Sequence, residues 1–128
     1  MMHQRKRSAV IAGLLVLVLG ITAATQAPVF KGGYFKATDN NSTIGLDFDS
    51  TGVINVSVDG QAFATSSWKS QADTLTFGPV IGGPEGSNCP GDGKYLWSIA
   101  ENRITFTLVM DDCQFRSNGL INLVWMKG

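Results

Sequence analysis

Residues 103–110 read RITFTLVM, a run in which apolar and polar side chains alternate. Ile104, Phe106, Leu108 and Met110 fall on one face of this run, opposite two threonines. An alternation with a period of two is typical of a β-strand that buries one face. The run therefore predicts a strand and not a helix.

Similar short runs recur on both sides of this strand, separated about every ten residues by turn-forming sequences. Such sequences include Asp39–Ser42, Asp59-Gly60, Lys69–Ala72 and Glu101-Asn102, which favour tight connections between neighbouring strands. The poor alternation of residues 61–68 predicts a β-bulge there. Together the runs predict eight strands, at residues 33–38, 43–49, 53–58, 61–68, 73–78, 93–100, 103–110 and 119–127.

The predicted fold class is all-β. Strands joined by tight turns usually pair with their neighbours in sequence, and a closed sheet hides its edges. We therefore expect an eight-stranded antiparallel up-and-down barrel. A β-sandwich is the alternative, although it normally needs long crossing connections and only residues 79–92 form a long one.

The N-terminus predicts a signal helix that precedes the barrel. Residues 5–7 are basic, residues 9–21 are almost wholly apolar, and residues 22–27 are mostly small. This order is typical of a secretory signal peptide over residues 1–27, cleaved near residues 24–27. We expect a single exported domain over residues 28–128, periplasmic or extracellular, without stable membrane insertion after cleavage. The alternative is an uncleaved N-terminal membrane anchor.

Composition narrows the function classes. The 128 residues suffice for one domain, and 10 basic residues balance 10 acidic residues, so nucleic acid is not an expected partner. The single histidine, His3, lies in the predicted signal peptide, and two cysteines are too few for the usual zinc site. We expect no enzyme activity, no metal and no cofactor. Catalysis by Asp111 and Asp112 is the remaining catalytic alternative, and it requires raised pKa values in a cleft.

The two cysteines, Cys89 and Cys113, predict one disulfide in an exported protein. In an up-and-down barrel, alternate connections emerge at the same end. Residues 79–92 and residues 111–118 are therefore expected at one end, where the cysteines can pair. The same end would carry the longest loops.

An eight-stranded barrel encloses enough room for packed side chains or for one small ligand. Five aromatic residues are the candidate lining of a ligand pocket: Phe77, Tyr95, Trp97, Phe106 and Trp125. Plain core packing of the same side chains is the alternative. The full set expected to face inward is Ile44, Leu46, Phe48, Ile54, Val56, Val58, Phe63, Trp68, Leu75, Phe77, Tyr95, Trp97, Ile99, Ile104, Phe106, Leu108, Ile121, Leu123 and Trp125.

Two groups of acidic residues have more than one interpretation. Residues 47–52 match the first half of a calcium loop, but Val58 stands where the bidentate glutamate belongs, so a hairpin turn is favoured. Asp92, Asp111, Asp112 and Arg116 gather near the expected mouth of the barrel. They could form an ion site, or an Asp–Arg pair could simply orient the disulfide loop.

The body resembles the calycin group, which comprises lipocalins and avidin-like barrels, and in particular small exported bacterial proteins described as lipocalin-like. The similarity rests on Gly32-Gly33-Tyr34, residues 46–52, residues 73–77, and Cys89 with residues 93–97 and 104–113. Lipocalins carry Gly-x-Trp at their opening, whereas Tyr34 stands here. The resemblance implies a barrel that holds a small, mostly apolar molecule at its open end.

We therefore expect a non-enzymatic exported barrel that binds a small hydrophobic or amphipathic ligand at the end that carries Cys89 and Cys113. The alternative is a packed barrel that uses residues 79–92 and 111–118 to contact another protein, as an inhibitor or envelope component. An apolar cavity above about 300 Å³ would favour the first hypothesis, and a solid interior the second.

Overall fold

A computed structural model describes residues 29–128. The predicted signal peptide, residues 1–27, lies outside the described residues. No helix within residues 29–128 is long and apolar enough to cross a membrane.

The described chain forms a closed antiparallel barrel in which the strands follow one another in sequence order, as predicted. Closure takes place through the last strand, which pairs with the first at Phe35 and Lys36 and with the seventh at Arg103 and Ile104. The strands are β1 (Gly33–Asp39), β2 (Ser42–Phe48), β3 (Val53–Val58), β4 (Gln61–Gln71), β5 (Thr74–Phe77), β6 (Gly93–Ala100), β7 (Arg103–Asp111) and β8 (Trp125–Lys127).

Tight turns join most of these strands, and their backbone angles explain the turn sequences. Asn40 and Asn41 have φ angles of 50° and 69°, and Asp59 and Gly60 have φ angles of 51° and 81°. Two consecutive residues with positive φ are typical of the hairpin turns whose twist matches that of the flanking strands. These turns make consecutive strands neighbours in the barrel, so alternate connections lie at the same end.

The predicted bulge in the fourth strand is confirmed. Val56 pairs with Ala64 and Ser57 pairs with Ala62, so Phe63 is an extra residue on β4. The turn predicted over residues 69–72 is wrong for its first three residues, because β4 continues to Gln71. Only Ala72 and Asp73 separate β4 from β5.

The strand predicted over residues 119–127 is wrong in its first part. Residues Gln114–Asn122 form a helix, here called α1, and the strand is confined to Trp125–Lys127. Arg116 and Leu120 are buried and Leu123 is half-buried. Their spacing of four and three residues places them on one helical face, so tertiary packing overrides the β-propensity of this stretch.

Three residues expected to face inward are exposed instead. Ile121 lies on the outer side of α1, and Ile99 lies near the end of β6. Leu108 is 45% exposed, because β8 covers β7 only at Arg103 and Ile104 and the pairing with β6 shifts between Lys94 and Tyr95. The alternation read from residues 103–110 therefore holds for Ile104 and Phe106 only.

The core is densest at the end of the barrel where the chain enters β1. Phe30 is 3% exposed, and its ring lies 5.3 Å from the ring of Trp68 and 5.3 Å from that of Trp97. Phe48 packs edge-on against Phe30 at 5.2 Å. These four aromatic side chains close this end, which is called the closed end below.

Candidate ligand cavity

The other end of the barrel contains a cavity of about 460 Å³. Its wall is formed by β2, β3 and β4 on one side and by α1 on the other. The connections β1–β2, β3–β4 and β7–β8 all meet at this end, which is called the open end below. The volume exceeds the value of about 300 Å³ above which a small-molecule pocket is favoured over a solid interior.

Aliphatic and aromatic side chains together form most of the cavity wall. The strands contribute Ile44, Leu46, Ile54, Val56 and Val58, and inward alternation along β2 and β3 places them on the same face. The helix adds Leu120, and Leu123 follows directly after the helix. Such a wall favours an apolar ligand body, because water displaced from apolar side chains loses no hydrogen bonds to the protein.

Polar groups in the wall are few. Ser66 is already engaged, since its hydroxyl donates to the carbonyl oxygen of Gly78 at 2.9 Å. Asp39 at the end of β1 and the amides of Asn118 and Asn122 on α1 are exposed and contribute to the lining. These three side chains are available to contact the polar part of an amphipathic ligand.

The structure places only two of the five candidate pocket residues in the cavity wall, Phe77 and Trp125. Trp125 is held in place by its indole Nε1, which donates to the carbonyl oxygen of Gly119 at 3.1 Å. Whether either side chain contacts a ligand stays a prediction.

The other three candidates pack elsewhere in the core. Trp97 belongs to the aromatic group at the closed end. Tyr95 and Phe106 pack against Phe77, with ring centroids 5.4 Å and 5.9 Å away, and lie outside the cavity wall. For these three residues the alternative of plain core packing describes their surroundings.

Cys89 and Cys113 lie at disulfide distance at the open end, with Cα atoms 5.6 Å apart. The prediction that both fall at the same end of the barrel is confirmed. Cys113 directly precedes α1, so the pair ties the long β5–β6 connection to the first turn of the helix. The helix is thereby anchored where it begins to cover the cavity.

A buried polar cluster beside the disulfide joins β6, β7 and α1. Arg116 donates from Nε to Oδ2 of Asp111 at 2.7 Å and from Nη2 to Oδ1 at 2.9 Å, a bidentate ion pair. The hydroxyl of Tyr95 also donates to Asp111. Arg116 further donates to the carbonyl oxygens of Gly78 at 2.7 Å and Gly91 at 3.0 Å. The Asp–Arg pair expected to orient the disulfide loop is confirmed.

The pKa values follow from this cluster. Burial by itself raises the pKa of the Asp111 carboxyl, but hydrogen bonds from Arg116, Tyr95 and the Cys113 backbone outweigh burial and hold this pKa below its ordinary value. Burial, followed by the hydrogen bond to Asp111, raises the pKa of the Tyr95 hydroxyl. Carboxylate catalysis predicted a raised pKa at this position, whereas the pKa of Asp111 is lowered.

Gly93 makes room for the ion pair. A Cβ atom built at Gly93 would overlap the Asp111 carboxylate and approach the Arg116 guanidinium. The first residue of β6 must therefore be small for the pair to form.

The remaining acidic residues with an alternative metal-binding interpretation are those of the 47–52 segment and Asp92 and Asp112. Asp49 accepts hydrogen bonds at Oδ1 from the Thr51 hydroxyl at 2.7 Å and from the backbone of Val53 at 2.9 Å, which lower its pKa. It caps the β2–β3 turn, as the hairpin interpretation predicts. Asp92 and Asp112 are exposed. Across residues 29–128 no group of three or more His, Cys, Asp or Glu side chains could hold a metal ion.

Sequence reasoning missed the helical part of the cavity wall and Asp39. The spacing of Arg116, Leu120 and Leu123 was the available signal for the helix. The alternation of Phe35, Ala37 and Asp39 along β1 was the available signal for Asp39.

Comparisons with protein-family models, with curated proteins and with solved structures found no match for this chain. The class of protein that the structure defines is a small closed β-barrel with an apolar cavity at one end. Assignment to the lipocalin-like proteins remains a hypothesis from the sequence resemblance.

Proposed function

We propose that this protein is an exported lipocalin-like barrel that binds one small hydrophobic or amphipathic molecule without catalysis. The observation that carries the proposal is the cavity of about 460 Å³ at the open end, with its mostly apolar wall. A volume of this size lies within the range of about 300–1,000 Å³ that small-molecule sites occupy. The ligand body would lie between β3 and α1, with its polar end at Asn118 and Asn122.

Absence of catalysis is proposed on chemical grounds. The buried Asp111 carboxylate is bound by a guanidinium and by a phenol, and its pKa is lowered, which leaves it a poor proton donor. Asp111 lies outside the cavity wall, whose exposed polar side chains are one carboxylate, Asp39, and two amides, a set suited to orient a ligand.

The test is a matched pair of substitutions on β3. Val58 lines the cavity, whereas Val53 on the same strand is 37% exposed and lies outside the wall. Val58→Phe reduces the space for a ligand, and Val53→Phe adds the same side chain where no ligand is expected. Titration with decanol, followed by calorimetry, is expected to show binding to the wild-type barrel, about tenfold weaker binding to Val58→Phe, and unchanged binding to Val53→Phe.

Equal affinity of both variants would contradict the cavity as the binding site. Native mass spectrometry of protein purified from its own host gives an independent test, because a retained small molecule would be detected directly. A wild-type barrel that retains no molecule and binds no alkyl or aromatic compound would contradict the proposal.

Export is proposed from the N-terminal sequence. The mass of the protein from its host is expected to correspond to a chain that begins after residue 24 or after residue 27. A full-length mass would support the uncleaved anchor instead.

A second candidate function is supported by exposed apolar side chains at the same end. Ile81 in the β5–β6 connection is 62% exposed, and Phe115 on α1 is 53% exposed. Both lie in the segments that the alternative hypothesis assigns to a protein partner. Loss of partner binding in an Ile81→Ser variant, with ligand binding intact, would favour this second function.

A further inference from the structure

We infer that the cavity selects its ligand by charge: it prefers an amphipath with an apolar body and a cationic head over one with the same body and an anionic head. The inference rests on the proposed function, since it concerns the ligand of the same cavity. The charged groups in the wall and around the open end support this preference.

Among residues 29–128, two charged side chains line the cavity, Asp39 and Arg116. Asp39 ends β1 at the open end, and its side chain is exposed there. Within residues 29–128 the single ion pair is Arg116–Asp111, so no basic group of the described chain neutralises Asp39 by direct contact. The wall therefore presents a negative charge where the head of an amphipathic ligand would lie.

Arg116 does not offset this charge. Four of its five N–H groups are engaged, two with Asp111 and one each with the carbonyl oxygens of Gly78 and Gly91. Its side chain is 5% exposed, and the Asp111 carboxylate neutralises it. A ligand carboxylate could use Arg116 only after the buried ion pair breaks, which is strongly unfavourable.

The surrounding connections carry the same sign of charge. Asp59 lies in the β3–β4 turn, Glu85 in the β5–β6 connection, and Asp112 just before Cys113. Asp92 does not count among them, because it lies beside Thr51, Gly52 and Lys69 and away from the cavity. Among the described residues near this end and outside the ion pair, the basic side chain is Lys94. Lys94 is exposed on the outer face of β6, next to the inward Tyr95.

Basic residues gather toward the opposite end. Lys31 precedes β1, Arg103 begins β7 and Lys127 pairs with Phe35 near the start of β1. The closed end also carries Asp47, Asp49, Asp73 and Glu101, so the charges there nearly balance, whereas the cavity mouth carries a net negative charge. A mouth lined by one sign of charge attracts ligands of the other sign and repels those of its own.

The test compares three ligands with the same decyl chain: decyltrimethylammonium, decanol and decanoate, each below its micelle concentration. At low ionic strength we expect the cation to bind about fivefold more tightly than decanoate, with decanol between them. The difference is expected to shrink in about 1 M salt, where the Debye length is about 3 Å.

Two variants identify the charge responsible. Asp39→Asn removes the carboxylate from the wall and is expected to reduce the preference for the cation about threefold. Asp47→Asn is the matched control, because Asp47 is exposed on β2 near the closed end and outside the cavity wall. It is expected to leave the preference unchanged. Thermal unfolding of both variants checks that each is folded.

The outcomes separate this inference from the proposed function. If decanol binds but decanoate binds as tightly as the cation, or if Asp39→Asn behaves like Asp47→Asn, the charge selection is overturned and the ligand cavity stands. If none of the three decyl compounds binds the wild-type barrel, the cavity as a ligand site fails as well.

Discussion

Arg116 connects more of this molecule than any other polar residue described above. Its guanidinium reaches from α1 to Asp111 on β7 and to the backbone at Gly78 and Gly91, at the two ends of the β5–β6 connection. Because both members of the ion pair are at most 5% exposed, water cannot replace either partner. Removal of one partner leaves the other charge buried and uncompensated.

Substitution of Arg116 is therefore expected to be costly. Arg116→Met should lower the free energy of unfolding by about 3–5 kcal/mol. Arg103→Met is the matched control, because Arg103 is exposed at the start of β7, and it should change stability by less than about 0.5 kcal/mol. Urea denaturation of the two variants measures both values. A loss below 1 kcal/mol for Arg116→Met would contradict the structural role of the pair.

Acid should weaken the fold through Asp111. The folded-state pKa of Asp111 lies below its ordinary value of 3.8, so its contribution to stability is fully present above that value and is lost as the pH falls through the folded pKa. The free energy of unfolding, measured from neutral pH down to about pH 2, should fall at the acidic end of this range, here called the acid limb. Asp111→Asn should make this decrease in the free energy of unfolding smaller. Asp112→Asn, at the exposed neighbouring position, should leave the decrease as it is in the wild type. Identical acid limbs for wild type and Asp111→Asn would be inconsistent with this assignment.

At the scale of elements, the hairpins were predictable from the sequence, whereas the one local signal for α1 was the spacing of Arg116, Leu120 and Leu123. The turn residues Asn40-Asn41 and Asp59-Gly60 adopt the positive φ that their sequences favour, so local chemistry determines these connections. Residues 119–122 have strand-like composition, but Cys113 is tied to Cys89 and Arg116 must reach the buried pair. Both constraints act over long sequence separations, and neither appears in local periodicity.

The disulfide should stabilise the fold by anchoring α1. The two cysteines are 24 residues apart, and closure of a loop of this length contributes about 3 kcal/mol in the chain-entropy model. A reductant should lower the unfolding free energy of the wild type by about this amount. The double variant Cys89→Ser, Cys113→Ser should start at the lower stability and show no response to reductant. A wild type indifferent to reductant would argue against the bond.

At the scale of the whole molecule, the barrel is closed at one end and hollow at the other. Phe30 and its aromatic neighbours fill the closed end, while the cavity lies beneath α1 at the open end. The sequence predicted the barrel, the common end of the cysteines and an apolar interior. It could not distinguish Trp125 from Trp97, because both are inward aromatic residues and only the three-dimensional placement of Phe30 and α1 assigns them to different ends.

The most direct test of the ligand cavity is a measurement of the position of a bound alkyl chain. Decanol added to protein with labelled isoleucine, leucine and valine methyl groups should give nuclear Overhauser contacts to Ile54 and Val56, which line the cavity. The account predicts these contacts and none to Val53 or Val109, which are exposed outside the wall. Contacts to Val109 alone, or an absence of contacts to Ile54 and Val56 at saturating decanol, would contradict it.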